Sequence, residues 1–477
     1  MAEEQSESFF ERALANLSGA WRDVAASAAR TVGLSPADSI PKSPDAWRKL
    51  MTKCLEARGG EVSARLRAAA LGKTYLELDG EERRRFLEIL ARDFATESAR
   101  VEEQIAAYHA AADPDHRLAA EEALRRALVP PRVRLLTQFN ALPEGVKFLT
   151  DLRADLFAVS VDDPYLGGLE RDLRDLLESW FDVGFLDLQR ITWDSPASLL
   201  EKLIAYEAVH EIRSWDDLRN RLDSDRRLYA LFHPRMPEEP LAFVEVALVR
   251  GMADSIQHLL DETVPPVAPS AIDTAIFYSI SNTQKGLRGI SFGDYLIKRV
   301  VQQLAHDLPQ IKTFATLSPV PGFSAWLERD GEAAVAALLN EDEQGGVKAL
   351  GGSDDLREAF LAILAKADWW QDAVTETALK GPLLRLCTRY FLERRASGEP
   401  IDPVARFHLK NGARLERINW LGDTSPNGLQ QSAGLMVNYR YVVDDLEKNH
   451  EAYMQRGEIT MGSDVRSLAK SVRRLAA

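Results

Sequence analysis

The sequence has 477 residues, of which 45% are hydrophobic and 28% charged, and a formal net charge of −14 at pH 7. This composition is typical of a globular chain with room for more than one domain. The negative charge argues against general binding to nucleic acid or anionic membranes, because both require clustered cations.

The first part of the chain has the apolar spacing of helices. One helical face is indicated by Phe10, Leu14, Leu17 and Trp21. A second helix is expected to begin at Asp79, which can accept from free first-turn amides, with Glu82 three residues later. We predict an all-helical domain over residues 1–188 with a scaffold or oligomerisation role.

The pattern changes after this region to short segments rich in β-branched and aromatic residues. Four strands are predicted in "RRLYALFHP", "PLAFVEVALV", "TAIFYSIS" and "IKTFATLSP", with a helix, "SFGDYLIKRVVQQLAHDL", between the last two. Helical segments follow, and "GLMVNYRYVV" alternates like a final strand. We predict a mixed α/β domain over residues 189–477 with a helical insertion, in which "EDEQGGVKALGGSDD" is a mobile loop.

A glycine-containing turn, "NTQKGLRGI", joins the third strand to the helix. Glycines allow a ligand to approach the backbone, a helix start presents free amides to an anion, and Lys285 and Arg288 carry the right charge. The turn matches neither the Walker pattern nor the dinucleotide fingerprint. A phosphate site and an ordinary strand-to-helix turn both fit.

Two further residues are candidates for chemistry. Ser318 ends a predicted strand before a proline, where a serine is often a simple cap, and it lacks the G-x-S-x-G setting of a hydrolase nucleophile. His408 lies between Phe407 and Leu409 near a probable strand, so it fits a structural histidine as well as a catalytic one. The histidines have no metal-binding spacing, so no metal site is predicted.

The two cysteines, Cys54 and Cys387, are too few for a disulfide framework and fit a reducing compartment. No apolar run approaches the roughly 18 residues of a membrane span. The N-terminal stretch is acidic where a secretory signal would be basic. We predict a cytoplasmic protein with no membrane partner.

Four segments in order closely resemble the malonyl-CoA decarboxylase family: "FYSISNTQKGLRGISFGDYLIKRVV", "LSPVPGFSAWL", "ARFHLKNGARLERINWLGD" and "GLMVNYRY". The helical part leading into the β region is similar as well, so the resemblance covers about residues 45 to 460. It implies an α+β protein: a helical N-terminal domain followed by a GNAT-like (acetyltransferase-type) catalytic domain. It also implies a homo-oligomer, either a dimer or a tetramer.

The resemblance further implies which residues form the site. The family's serine, histidine and tyrosine correspond to Ser318, His408 and Tyr441. The loop entering the central helix would hold the acyl-CoA, through Gln284, Lys285, Gly286, Arg288, Gly289, Ile290, Ser291, Phe292, Gly293 and Asp294. Animal members carry a glutamate where this chain has Ser291, so acidic assistance to His408 must come from elsewhere or be absent.

The implied reaction converts malonyl-CoA to acetyl-CoA and CO₂ through a thioester enolate. His408 would protonate the enolate, Ser318 would hydrogen-bond or deprotonate the malonyl carboxyl side, and Tyr441 would help to fix the thioester. No cofactor is expected, because the thioester itself accepts the electrons. Two alternatives remain open: an N-acetyltransferase on the same scaffold, and an acyl-CoA sensor without turnover.

Overall fold

The computed structural model describes residues 43–56, 60–159, 162–290 and 293–475. The chain divides into two compact units. The first contains the chain up to Asp187 together with Leu231–Leu241 and Asn282–Ser291, and the second contains Leu188–Ala230, Ala242–Ser281 and the chain from Phe292 onward. The helix predicted around Phe10 to Trp21 lies outside the described residues.

The first unit is built from helices, as the apolar spacing predicted. They span Pro44–Leu55, Gly60–Leu76, Gly80–Asp93, Ser98–Ala110, Pro114–Leu128, Pro131–Thr137, Gly145–Val159 and Pro164–Trp180. The predicted helix start at Asp79 is confirmed, because its carboxylate accepts from the amide of Glu82 at 2.9 Å and the Glu82 carboxylate accepts from the amide of Asp79 at 3.0 Å. The last helix buries leucines at helical intervals: Leu166, Leu169, Leu173 and Leu177.

An eight-stranded mixed sheet forms the centre of the second unit. Its strands are β1 (Asp187–Ile191), β2 (Arg226–Phe232), β3 (Ala242–Val249), β4 (Thr274–Asn282), β5 (Thr313–Thr316), β6 (Ser318–Pro319), β7 (Arg414–Asn419) and β8 (Met436–Tyr441). The order is β1-β2-β3-β4-β5-β8-β6, with β7 also paired to β8. Strands β4 and β5 are parallel, whereas β8 is antiparallel to β5, β6 and β7.

The predicted fold class is confirmed: a helical region precedes a mixed α/β domain with a helical insertion. A helix connects β4 to β5, as predicted, because two parallel neighbours need a crossover between them. The helices of this unit span Ala197–Tyr206, Trp215–Arg221, Ile256–Leu259, Gly293–Asp307, Phe323–Asp330, Glu332–Leu338, Glu341–Gly351, Leu356–Leu364, Ala373–Leu392, Pro403–Lys410, Pro426–Ser432, Leu446–Arg456 and Ser463–Leu475. Across the described ranges, the helices lack the length and apolar character needed to cross a membrane.

The prediction of a mobile loop around the two Gly-Gly pairs is wrong. Residues Glu341–Gly351 form a helix whose start is closed by Asn340 and Glu343, each accepting from the other's backbone amide at 2.9 Å. The helix ends at Gly352, whose φ of +70° gives the left-handed cap that favours glycine. The two ends therefore stabilise a helix that the internal glycines alone disfavour.

Candidate active site

The antiparallel pairing of β5 and β6 with β8 gathers polar side chains on one face of the sheet. Phe314 lies opposite Tyr441, and Ser318 lies opposite Val437. Because side chains alternate along a strand, Thr316 and Ser318 point to the same face as Tyr439 and Tyr441. These four residues are buried, with at most 6% of their surface exposed.

His408 reaches this face from a helix. It was expected near a strand, but it lies in the helix Pro403–Lys410 and is 2% exposed. The helix ends at Asn411-Gly412, where Gly412 has a φ of +80°. The imidazole stacks on the ring of Tyr439, with 4.4 Å between the ring centroids and an interplanar angle of 24°.

Both nitrogens of the His408 ring have hydroxyl partners. Nε2 lies 3.3 Å from Oγ of Ser318, and Nδ1 lies 2.7 Å from the hydroxyl of Tyr441. The Ser318 hydroxyl donates to Oγ1 of Thr316 at 2.9 Å, and the amide of Tyr439 donates to the same oxygen at 3.0 Å. The structure therefore joins the three predicted catalytic residues into one hydrogen-bonded chain.

The proton of Ser318 decides the direction of this chain. A hydroxyl has one proton, so a serine that donates to Thr316 cannot also donate to His408. In this arrangement Nε2 of His408 carries the hydrogen and donates to Ser318, while Nδ1 accepts from Tyr441. The geometry thus favours one tautomer of the neutral imidazole.

Burial keeps the imidazole neutral. Removal from water lowers the pKa of His408 from 6.5 to about 3, because the charged form loses its hydration. Burial also raises the pKa of the Tyr439 hydroxyl well above its ordinary value. At neutral pH the groups in contact with the ring are hydroxyls and a neutral aromatic face, a setting suited to stabilising charge that develops during a reaction.

The predicted CoA loop lies in the first unit, where a buried arginine bonds to its backbone. Arg153 donates to the carbonyl oxygens of Gly286 at 2.6 Å and of Arg288 at 3.0 Å, and pairs with Glu170 at 2.6 Å. Gly286 packs so closely on the backbone of Thr150 that a Cβ there would overlap the Thr150 carbonyl. A buried cation and a required glycine thus define the shape of the loop.

The side chains of the loop differ in what they can offer a ligand. Gln284 is buried and its amide nitrogen donates to the carbonyl of Pro240 at 3.1 Å, so this side chain supports the loop from within. Lys285, Arg288 and Gly289 are exposed, and Arg288 lies 4.4 Å from the ring centroid of Phe157. The loop therefore presents two cations to solvent.

The remaining predicted ligand contacts run from Ile290 to Asp294. Ile290 is half-buried, and its amide donates to the carbonyl of Leu287 at 3.0 Å. Ser291 and Phe292 lie outside the described residues. Gly293 begins the helix that continues through Asp294 to Asp307, which is consistent with the predicted helix start.

Comparison with known proteins shows which family most of the chain resembles. The model of the malonyl-CoA decarboxylase C-terminal domain matches residues 184–476, and that of the N-terminal domain matches residues 94–181. The chain belongs to the malonyl-CoA decarboxylase family. The resemblance identified from the sequence motifs is therefore confirmed.

Individual malonyl-CoA decarboxylases match over most of their length. The mitochondrial protein of Anser anser anser is 39% identical over 85% of this chain and 83% of its own, and that of Mus musculus is 37% identical over 82% of each. The crystal structure of malonyl-CoA decarboxylase from Rhodopseudomonas palustris, 44% identical, superposes with a TM-score of 0.80 and covers 89% of this chain and 99% of that one. The chain therefore shares its fold with that bacterial enzyme.

Three residues of the candidate site in this family member were not predicted. Thr316 orients Ser318, Tyr439 stacks on His408, and Arg153 holds the loop that is predicted to bind CoA. Thr316 and Tyr439 occupy the same strand faces as Ser318 and Tyr441 two residues away, so strict alternation was the available signal. An arginine within the apolar helix Gly145–Val159 was the corresponding signal for Arg153.

Proposed function

We propose that this protein removes CO₂ from malonyl-CoA and leaves acetyl-CoA, with no metal or organic cofactor. The observation that carries the proposal is the buried chain of Ser318, His408 and Tyr441 in a member of this family. The thioester carbonyl accepts the electron pair released when the bond between C2 and the carboxylate breaks. The protein then has to exclude water, orient the carboxylate and protonate C2.

Ser318 orients the carboxylate. We assign its hydroxyl to the malonyl carboxylate, because a charged acceptor competes successfully with the neutral oxygen of Thr316. The carboxylate then leaves water for a buried site, and loss of CO₂ disperses its charge into the enolate. A carboxylate is already ionised at neutral pH, so Ser318 acts as a hydrogen-bond donor and no deprotonation is needed.

The proton for C2 comes from Nε2 of His408. In the free protein this is the hydrogen of a neutral imidazole, because burial holds the pKa of the ring at about 3. An enolate is a strong base, and the transfer becomes easier if Nδ1 gains a proton as Nε2 loses one. Tyr441, at 2.7 Å from Nδ1, is placed to supply it.

This relay assigns Tyr441 to the histidine in place of the thioester. A hydroxyl that donates to Nδ1 has no second proton for the thioester oxygen. Each turnover consumes one proton, so malonyl-CoA plus H⁺ gives acetyl-CoA plus CO₂, and solvent restores the tyrosine proton. His408 ends the cycle neutral, with its Nε2 hydrogen replaced through a ring flip or proton exchange.

The CoA phosphates are assigned to the loop of the first unit. Exposed Lys285 and Arg288 provide cations for an anion, and the helix that begins at Gly293 follows the loop. Gly289, with a φ of +88°, adopts a conformation that favours glycine. Gln284 and Gly286 support the loop from within.

Purified protein incubated with malonyl-CoA in D₂O tests the proposal. We expect CO₂ and acetyl-CoA carrying one deuterium in its methyl group, and loss of this activity in His408→Gln and Ser318→Ala. CoA release from acetyl-CoA plus an amine, without decarboxylation, would indicate an N-acetyltransferase. Tight malonyl-CoA binding without turnover would indicate a sensor, and either result would exclude the proposed reaction.

We also propose a cytoplasmic location and a dimeric or tetrameric assembly. Cys54 and Cys387 are buried and unpaired, as suits a reducing compartment. The two similar animal proteins are mitochondrial by name, so fractionation of the native cells is the direct test of location. Light scattering during size-exclusion chromatography tests the assembly, and a monomer would contradict it.

A further inference from the structure

A buried carboxylate caps the helix that carries His408. Oδ1 of Asp402 accepts from the amide of Ala405 at 2.6 Å, and the side chain is fully buried. His408 lies six residues further along, within the same two turns of helix. The position of Asp402 therefore sets where the helix begins and where the imidazole lies.

The second oxygen of this carboxylate connects to the segment that follows Ser318. Oδ2 of Asp402 accepts from the hydroxyl of Tyr390 at 3.2 Å. That hydroxyl packs directly against Gly322, where an added Cβ would overlap it. Tyr390 also contacts the rings of Phe323 and Trp326, with centroids at 5.9 and 5.5 Å.

The connection from Gly322 back to Ser318 is stiff. Its sequence is Ser-Pro-Val-Pro-Gly, and Pro319 and Pro321 each fix a φ angle. The amide of Phe323 donates to the carbonyl of Val320 at 3.1 Å, which closes the turn. A displacement at Gly322 is therefore transmitted to Ser318.

We propose that Asp402 and Tyr390 are positioning residues that set the separation between Ser318 and His408. The inference rests on the proposed function, because it concerns the rate of the same decarboxylation. Asp402 bonds to the amide of Ala405 and Tyr390 bonds to Asp402, so both side chains are tied to the framework around the site. They act through Gly322 on one side of the site and through the helix start on the other.

Asp402 acts on His408 through geometry and not through charge. Burial is the cause of the lowered pKa of His408, with no opposing contribution from a carboxylate. The charge of Asp402 instead acts on its neighbours Tyr390 and Tyr439, and it raises the pKa of both hydroxyls further. The neutral isostere asparagine should therefore preserve the role of Asp402.

The test compares kcat and KM for malonyl-CoA in four variants of the full chain. We expect Asp402→Ala and Gly322→Ala to lower kcat by about 10- to 100-fold, the range that a displacement near 1 Å produces. Tyr390→Phe should lower kcat by about 10-fold by the same mechanism. Asp402→Asn should stay within about threefold of wild type, because its oxygen still caps Ala405 and its amide can donate to Tyr390. KM should change by less than about twofold throughout, since the CoA contacts are untouched.

Matched controls separate positioning from general damage. Tyr453→Phe removes another buried hydroxyl of the same unit, and Asp355→Ala removes the cap of the helix Leu356–Leu364. Both should keep wild-type kcat at matched folded fraction, measured by circular dichroism. Wild-type kcat in Tyr390→Phe, or a loss in Asp402→Asn equal to that in Asp402→Ala, would overturn the inference. An inactive wild type would instead refute the proposed function, so the two failures are distinguishable.

Discussion

The hydroxyl of Tyr441 and the imidazole of His408 meet at 2.7 Å, on the side of the ring opposite Ser318. The ring is thus held at both nitrogens while its face stacks on Tyr439. A neutral imidazole bonded at both nitrogens has a defined tautomer and a defined direction for proton transfer. The position of β8 next to the helix Pro403–Lys410 therefore determines the tautomer of His408.

Replacing Tyr441 by phenylalanine should slow the chemical step. The variant keeps the ring but removes the hydroxyl that lies 2.7 Å from Nδ1 of His408 and that we propose as its proton source. We expect kcat for acetyl-CoA formation to fall by about 10²-fold, the lower end for positioned acid–base groups, with little change in KM. Unchanged kcat in Tyr441→Phe, with the solvent isotope effect of wild type, would show that the relay does not operate.

His408 should remain neutral across the physiological range. Burial places its pKa at about 3, so its ring signals should not titrate between pH 5 and pH 8. Nuclear magnetic resonance of protein labelled with ¹⁵N in histidine rings, assigned by comparison with His408→Gln, reports both charge and tautomer. We expect hydrogen on Nε2; a midpoint near pH 6.5, or hydrogen on Nδ1, would contradict the assignment.

The same pKa predicts how His408 affects stability. The unfolded chain binds a proton on this histidine below about pH 6.5, whereas the folded chain does so only near pH 3. Stability is therefore lost as pH falls through this window, at up to about 1.4 kcal/mol per pH unit. Urea unfolding at pH 7 and pH 5.5 should show a smaller decrease in His408→Gln than in wild type. Equal decreases would place the folded pKa near its ordinary value.

The local sequence pattern predicted much of the secondary structure, but it did not predict most contacts within the site. The strand segments and the β4–β5 crossover helix follow from periodicity and composition. The helix of His408 was also encoded, by Asp402-Pro403 at its start and Gly412 after its end, although the flanking Phe407 and Leu409 were given more weight. Likewise, Asn340 and Glu343 indicated a helix where internal glycines suggested a loop.

The contacts of the site depend on long-range pairing. Ser318 and His408 are 90 residues apart, and Thr316 meets the amide of Tyr439 across 123 residues. The register of β8 against β5 and β6 fixes the Thr316 contact and places Ser318 on the same face as Tyr439 and Tyr441, which a shift by one residue would turn to the other face. Resemblance to a family named three of these residues, but only the register shows how they bond.

Substitutions in the predicted CoA loop should weaken the binding of malonyl-CoA without slowing the chemical step. Lys285→Ala and Arg288→Ala each remove an exposed cation from the proposed phosphate site. We expect KM for malonyl-CoA to rise by about 3- to 10-fold per variant with kcat nearly constant, corresponding to about 1 kcal/mol of charge-assisted bonding. The increase should shrink at high salt. Arg85→Ala, another exposed arginine of the first unit, serves as the control and should leave KM unchanged.

A substitution at Thr316 tests whether the Ser318 hydroxyl donates to Thr316 or to His408. Its oxygen accepts from both Ser318 and the amide of Tyr439, and valine has the same shape without that acceptor. In Thr316→Val the Ser318 hydroxyl is free to donate to Nε2 of His408, which moves the ring hydrogen to Nδ1. We expect kcat/KM for malonyl-CoA to fall by about 10-fold or more, because the free protein then holds the hydrogen on the wrong nitrogen for transfer to C2. The unpartnered amide of Tyr439 should also lower the free energy of unfolding by about 1–3 kcal/mol.

Two companion variants make the result of Thr316→Val specific. Thr316→Ser keeps the acceptor and should retain most of the activity, despite a small loss of packing. Thr388→Val removes a buried hydroxyl of the same unit that donates to the carbonyl of Leu384 in its own helix, and should leave kcat/KM unchanged. The ¹⁵N ring shifts of His408 should move to the Nδ1-hydrogen form in Thr316→Val alone. Full activity together with that changed tautomer would show that decarboxylation does not depend on which ring nitrogen carries the hydrogen.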